Sequence, residues 1–177
     1  YFKGEGPKRT GCNFCGACMT GCRNNSKNTL DKNYLYLAQK KGATILAEKE
    51  VYNVHPLDGN DGSMGYRVHL KSSTKLLKKR TTITTKGVIY SGGVLGTVKL
   101  LLSIRKKSLP LLSDQLGKDI RTNNETLVSV SKLDRKENVA KGVAIGSILH
   151  ADENTHLEVV RYSESSGFWK LFHLPYA

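Results

Sequence analysis

The chain has 177 residues, a formal net charge of +13 and four cysteines. Its composition excludes collagen-like, disordered and disulfide-scaffold classes. No apolar run reaches the roughly 18 residues of a membrane-spanning helix, so we expect no transmembrane segment, and no signal-peptide pattern is visible. The sequence starts at Tyr1 instead of Met, with a strand–helix pattern already under way. This predicts a piece of a longer protein.

The positive charge is concentrated in the middle of the chain. Between Asp61 and Asp114 there is no acidic residue, yet eleven basic residues lie there: Arg67, Lys71, Lys75, Lys78, Lys79, Arg80, Lys86, Lys99, Arg105, Lys106 and Lys107. One interpretation is a basic face for phosphate, RNA or an anionic membrane surface. A second is a solvated hairpin edge, where Lys blocks edge-to-edge pairing. A third is that the balancing acidic residues lie elsewhere in the parent protein. No helix-turn-helix, zinc-finger or RNP pattern accompanies the charge, so nucleic-acid binding is not favoured.

The first elements in chain order are a loop, a cysteine run and a helix. Residues 1–10 are Gly-rich and basic and are predicted to form a loop. Apolar residues recur at helical spacing from residue 29 to residue 41. Asn28 is the predicted N-terminal cap, Asp31 lies in the first turn, and Gly42 is the predicted stop.

Three strands are predicted next, as an antiparallel meander. They cover residues 44–54, 66–70 and 78–85, with a turn at the Asp-Gly pairs of residues 58–62. A short apolar strand at residues 87–90 follows and leads into Ser91, Gly92 and Gly93. The spacing then predicts a helix over residues 94–104. A strand, a glycine turn and a helix place main-chain N–H groups at a helix N-terminus.

The pattern changes after Pro110. A turn is predicted at residues 113–117 and strands at 125–134, 139–150 and 158–162. We therefore predict two domains, residues 1–112 and residues 113–177.

All four cysteines lie in the loop of residues 11–23, as Cys12, Cys15, Cys18 and Cys22. This C-x2-C-x2-C-x3-C spacing is that of ferredoxin iron–sulfur sites. Arg23 stands where ferredoxins have proline, and there is only one run. A [4Fe–4S] cluster on four cysteines and a [3Fe–4S] cluster on three are both open, as are structural zinc, disulfides and unligated thiols. Clustered cysteines that bind a cluster favour a reducing compartment such as the cytoplasm.

Four segments together resemble the middle of the glucose–methanol–choline (GMC) oxidoreductases, in the cholesterol-oxidase-like branch that carries a cysteine run. They are the cysteine run from Cys12 to Cys22, Lys27-Asn-Thr-Leu-Asp-Lys-Asn-Tyr-Leu35, Gly42-Ala-Thr-Ile-Leu-Ala-Glu-Lys-Glu-Val51, and Val88-Ile-Tyr-Ser-Gly-Gly-Val-Leu-Gly-Thr97 with Leu100-Leu-Leu102. The resemblance implies an α/β (α+β) fold. It would comprise a partial FAD-binding domain followed by the start of a β-rich substrate domain.

The resemblance also implies function. Enzymes of this family transfer a hydride from an alcohol or sterol-like substrate to FAD and pass the electrons to an acceptor. The positions that match the family's flavin contacts are Glu50, Val51, Ser91, Gly92, Gly93, Gly96 and Thr97. An iron–sulfur cluster beside the flavin would act as a relay to an external acceptor.

Two parts of the family pattern are missing from this sequence. These are the G-x-G-x-x-G fingerprint that binds the pyrophosphate and the segment with the catalytic histidine. His150, His156 and His173 do not lie in that context, so no catalytic residue is predicted in this fragment, and the chain alone is expected to be inactive. Two other functions stay open at this point: a basic cysteine-ligated module that binds nucleic acid or an acidic partner, and a free-standing electron carrier.

Overall fold

The computed structural model describes residues 2–121, 125–130, 136, 138–164 and 166. Their longer elements, in chain order, are α1 (Tyr34–Lys40), β1 (Lys49–Pro56), β2 (Tyr66–Ser72), β3 (Arg80–Thr85), α2 (Val94–Arg105), β4 (Ile145–His150) and β5 (His156–Val160). The mixed α/β fold with antiparallel sheets confirms the predicted fold class. The chain divides into two compact units, Ile45–Asn124 and Tyr1–Thr44 with Glu125–Ala177. The predicted boundary between residues 112 and 113 concerns domains of a whole protein and stays a prediction.

The predicted three-stranded meander is confirmed in the unit of residues 45–124. Its strands are antiparallel in the order β1-β2-β3, with Val54 opposite Val68 and Val68 opposite Ile83. β1 begins at Lys49 and not at residue 44, because Glu48 has a left-handed φ of 55°, which extended backbone does not adopt. Because the strand order is β1-β2-β3, β1 is one of the two edge strands of the sheet.

The core of this unit lies between the sheet and α2. Val54, Val68, Leu70 and Ile104 are all buried, and Val54 is 0% exposed. Partly buried side chains pack against this cluster: Val51, Tyr66, Val88, Tyr90, Leu100, Leu101 and Leu109. The core thus joins β1, the segment before α2 and α2 itself.

A polar contact ties β1 to the turn after α2. Asn53 Oδ1 accepts hydrogen bonds from the Val54 main-chain N–H at 2.9 Å and from Ser108 Oγ at 2.8 Å. Ser108 is only 6% exposed, so this contact satisfies a buried hydroxyl. The register of β1 against β2 shifts between Val51 and Asn53, a bulge that re-aims the residues around it.

The predicted strand at residues 87–90 is wrong. These residues, which precede α2, have no assigned secondary structure and pair with no strand of the described part of the chain. Assignment as a strand requires a hydrogen-bonded neighbour, which a run of apolar residues alone does not supply. The helix after it is confirmed and ends at Arg105, one residue beyond the prediction.

The predicted helix of residues 29–41 is divided in the second unit. A short 3-10 helix covers Leu30–Lys32, and α1 begins after Asn33, whose φ and ψ of −128° and −105° break the helical path. Asn33, not Asn28, caps α1, since its side chain accepts a hydrogen bond from Tyr34 N. Asn28 instead accepts a hydrogen bond from Arg9 Nη1 at 2.7 Å. Gly42 ends the helix with a φ of 93°, as predicted.

The remainder of this unit contains the hairpin of β4 and β5. β4 begins at Ile145, later than the predicted residue 139, and β5 has the predicted length of five residues but begins two residues earlier, at His156. Residues 125–130 form no strand, and residues 131–134 of that prediction lie outside the described residues. The cysteine loop touches the segment before β4, where Gly142 N donates to Phe14 O at 2.7 Å. A Cβ on Gly16 would lie 2.5 Å from Ala140 O, so this close approach requires glycine.

Candidate cofactor site

The glycine turn before α2 presents unsatisfied main-chain donors. The first hydrogen bond of the helix runs from Thr97 N to Gly93 O at 3.0 Å. The N–H groups of Val94, Leu95 and Gly96 precede it, and no side chain caps the helix. Such an N-terminus favours an anionic or oxygen-rich ligand, because its dipole and its free N–H groups point outward.

The glycines of this turn leave open space around the main chain. Within the described part of the chain, a Cβ placed on Gly93 or Gly96 would meet no atom within 4 Å, and one on Gly92 would meet only Thr97 Oγ1, at 3.8 Å. Gly93 has φ 85° and ψ 151°, a conformation that only glycine adopts readily. A ligand can therefore approach the main chain closely here.

The predicted contacts Glu50 and Val51 lie on β1, in the same unit as the glycine turn. Val51 is half-buried against the core that also holds Val88, Leu100 and Leu101. The Glu50 carboxylate is paired with Lys71 Nζ at 3.0 Å. Since β1 is an edge strand, half of its main-chain groups face away from β2 and can bind a ligand.

Tyr90 supplies a feature that sequence reasoning missed. Its hydroxyl is buried and has no hydrogen-bond partner among the described residues. Burial raises the pKa of Tyr90, and the neighbouring Tyr66 raises it further. Tyr90 also lines a pocket of about 200 Å³ together with Tyr66, Val88 and Leu109. This volume is below the roughly 300 Å³ at which small-molecule sites begin, so we do not assign it a substrate.

The four cysteines are free thiols that do not converge. Cys12 and Cys15 are exposed, and Cys18 and Cys22 are half-buried. No group of three or more His, Cys, Asp or Glu side chains among the described residues could hold a metal ion. The four thiols have the sequence spacing of cluster ligands, but their arrangement in the structure does not fit an iron–sulfur cluster or a zinc ion.

Cys22 stands apart from the other thiols in its hydrogen bonds. Its Sγ accepts from Ser26 N at 3.3 Å and from Lys27 N at 3.4 Å. These bonds lower the pKa of Cys22 to about 7, and the bond from Lys27 N has the larger effect. Main-chain donors stabilise the thiolate in the same way as they stabilise other anions.

The sequence profile of the family described as GMC oxidoreductase matches residues 7–118. The chain belongs to the GMC oxidoreductase family. Among its relatives, a protein named cholesterol oxidase from Acinetobacter baumannii is 47% identical over 94% of this chain and 30% of its own length. One of the same name from Mycobacterium tuberculosis is 40% identical over 94% of this chain and 29% of its own. The chain spans less than a third of these relatives, and no solved structure matches it.

Membership of the GMC family implies FAD binding, and the residues of the unit Ile45–Asn124 are compatible with it. The open glycine turn, the free N–H groups of α2 and the edge of β1 are main-chain features that suit a nucleotide. All seven predicted contact positions lie in the unit of residues 45–124. Their contacts with FAD stay predictions.

Two of the three histidines that the sequence analysis named lie on the hairpin of β4 and β5. His150 and His156 are exposed neighbours on β4 and β5, with ring centroids 5.9 Å apart. His156 Nε2 lies 3.9 Å from Glu158 Oε1. His173 lies outside the described residues. No helix in the described part of the chain is long and apolar enough to span a membrane.

Proposed function

We propose that this chain is part of an FAD-dependent oxidoreductase that oxidises an alcohol group of a sterol-like substrate. Support comes from the GMC family match and from the relatives named cholesterol oxidase. The observation that carries the proposal is the open glycine turn at the N-terminus of α2, packed through one core with β1. When bound, FAD supplies the acceptor for the hydride that leaves the alcohol carbon.

We infer two roles for this chain in that function. The N–H groups at the start of α2 would bind a phosphate or ribose oxygen, and the glycines would let it come close. The main chain at Glu50 and Val51, on the free edge of β1, would contact the adenine. Because the Glu50 side chain is held by Lys71, this contact would use main-chain atoms.

The proposal contains no iron–sulfur relay, because the described thiols form no metal-binding group. Iron and acid-labile sulfide in anaerobically purified protein test this point. Stoichiometric amounts of both would restore the relay. Peroxide formed in proportion to substrate oxidised would identify oxygen as the acceptor, whereas reduction of a dye without peroxide would identify a dehydrogenase.

Binding of FAD is the first experimental test. We expect titration with the protein to quench flavin fluorescence, and substitutions at Gly93 to weaken the binding. A control titration with riboflavin, which lacks both the phosphates and the adenine, should show much weaker binding. Equal binding of riboflavin and FAD would contradict the assignment of these residues to the nucleotide.

A further inference from the structure

The turn between β2 and β3 exposes two adjacent leucines. Residues 73–79 connect the strands, and we call them the hairpin tip. Leu76 is 99% exposed and Leu77 86% exposed. Exposed apolar residues are common elsewhere in this chain, so exposure alone decides nothing, and the surroundings of these two leucines carry the argument.

The hairpin tip is held in place by specific hydrogen bonds. Ser72 N donates to Lys79 O at 3.0 Å, and Lys79 N donates to Leu77 O at 2.9 Å. Lys75 N donates to Ser72 Oγ at 3.3 Å, and Ser72 is itself buried. The leucines therefore project from an anchored turn that continues the sheet.

Four cations surround the leucines. Lys75 precedes them, and Lys78, Lys79 and Arg80 follow them, all exposed. The Arg80 guanidinium lies 5.6 Å from the centre of the Tyr52 ring, which holds it beside the sheet. The segment from residue 62 to residue 113 contains no acidic residue.

The nearby carboxylates are engaged with other partners. Glu50 pairs with Lys71, and Glu48 Oε2 accepts a hydrogen bond from Thr74 Oγ1 at 3.0 Å. Within the described residues, Lys75, Lys78 and Lys79 form no ion pair. The two exposed leucines of the hairpin tip thus lie between lysines whose positive charge is not paired with a carboxylate in the described part of the chain.

We propose that the hairpin tip docks on an anionic lipid bilayer. The two leucines would enter the boundary between head groups and acyl chains, and the four cations would bind the lipid phosphates. A nucleic acid would engage the same cations but offers no apolar layer for adjacent leucines. The hairpin tip shares no residue with the glycine turn, and docking needs no cofactor, so the proposal does not rest on the proposed function.

Sedimentation of the protein with vesicles tests the proposal. We expect binding to vesicles of phosphatidylcholine with phosphatidylglycerol, reduced by added salt, and little binding to phosphatidylcholine alone. Lys78→Gln with Lys79→Gln should lower the partition coefficient about 30-fold, at about fivefold for each lysine near the surface. Leu76→Ala with Leu77→Ala should lower it by about tenfold or more, because apolar area no longer leaves water.

Two matched controls carry the same changes elsewhere. Lys106→Gln with Lys107→Gln removes the same charge from exposed residues after α2, and Leu127→Ala with Val128→Ala truncates another exposed apolar pair, 92% and 85% exposed. Both should retain wild-type partitioning within about twofold. Thermal unfolding of each variant should match that of the wild type, because every altered side chain is exposed.

Three results would overturn the proposal. The first is equal binding to neutral and anionic vesicles. The second is a loss in the control variants as large as in the hairpin-tip variants. The third is unchanged vesicle binding by the double leucine variant, which would show that charge alone makes the contact and that single-stranded RNA could replace the vesicle.

Discussion

Substitution of two glycines near the start of α2 by alanine is predicted to change stability in opposite directions. Gly93 precedes the helix with φ 85° and ψ 151°. A side chain at this conformation costs about 1–3 kcal/mol, and Gly93→Ala should lower the free energy of unfolding by that amount. No steric term is added, because a Cβ there meets nothing within 4 Å.

Gly96→Ala is the matched partner of this substitution. Gly96 lies in the first turn of α2, is exposed, and has the same open space around its Cβ position. Alanine at a helical position is favoured over glycine by about 0.5–1 kcal/mol, so this variant should be more stable than the wild type. The two variants add the same methyl group three positions apart.

Unfolding in urea and titration with FAD measure the two effects separately. If the glycine turn contacts the cofactor, both variants should bind FAD about tenfold more weakly, because each methyl group occupies space that a phosphate would approach. The free energy of unfolding and the affinity for FAD would then both fall in Gly93→Ala. In Gly96→Ala the free energy of unfolding would rise while the affinity for FAD falls. Equal stability of Gly93→Ala and wild type would refute the assigned backbone conformation, and unchanged FAD affinity in both variants would refute the cofactor contact.

Two further predictions concern a buried hydroxyl and a thiol. Tyr90→Phe should leave the free energy of unfolding unchanged or raise it by up to about 1 kcal/mol, because it removes a hydroxyl without a partner among the described residues. Unfolding in urea measures this change. A loss of more than about 1 kcal/mol would show that the hydroxyl is hydrogen-bonded. The rate of Cys22 alkylation, followed by peptide mass spectrometry, should rise with pH around a midpoint near 7, because the thiolate is the nucleophile and its pKa is lowered from 9.0 to about 7. A midpoint near 9 would contradict the hydrogen bonds assigned to its Sγ.

The sequence patterns predicted well those features that depend on local periodicity. The alternation at residues 66–70 and the helical spacing after Gly93 correspond to β2 and α2. The predicted strand at residues 87–90 failed because pairing depends on a partner strand, which local apolar residues do not specify. The helix cap was misplaced because Asn28 and Asn33 are equivalent by residue type, and only the break at Asn33 decides between them.

The candidate site shows the same division. The glycines at positions 92, 93 and 96 are flavin contacts implied by the family resemblance, and their open surroundings agree with that interpretation. The spacing of Cys12, Cys15, Cys18 and Cys22 matches cluster ligands, but spacing does not determine whether four thiols converge. The unpartnered hydroxyl of Tyr90 left no signal in the sequence, because burial of one atom depends on contacts between distant residues.

Anaerobic mixing of cholesterol with an FAD-loaded full-length protein that contains this chain tests the central claim most directly. We expect the absorbance of the oxidised flavin to be lost as the sterol alcohol becomes a ketone. A sterol analogue without the hydroxyl group should leave that absorbance unchanged. A full-length protein that binds FAD but keeps its oxidised spectrum with every alcohol tested would contradict the proposed oxidoreductase function, whereas this chain alone is expected to be inactive.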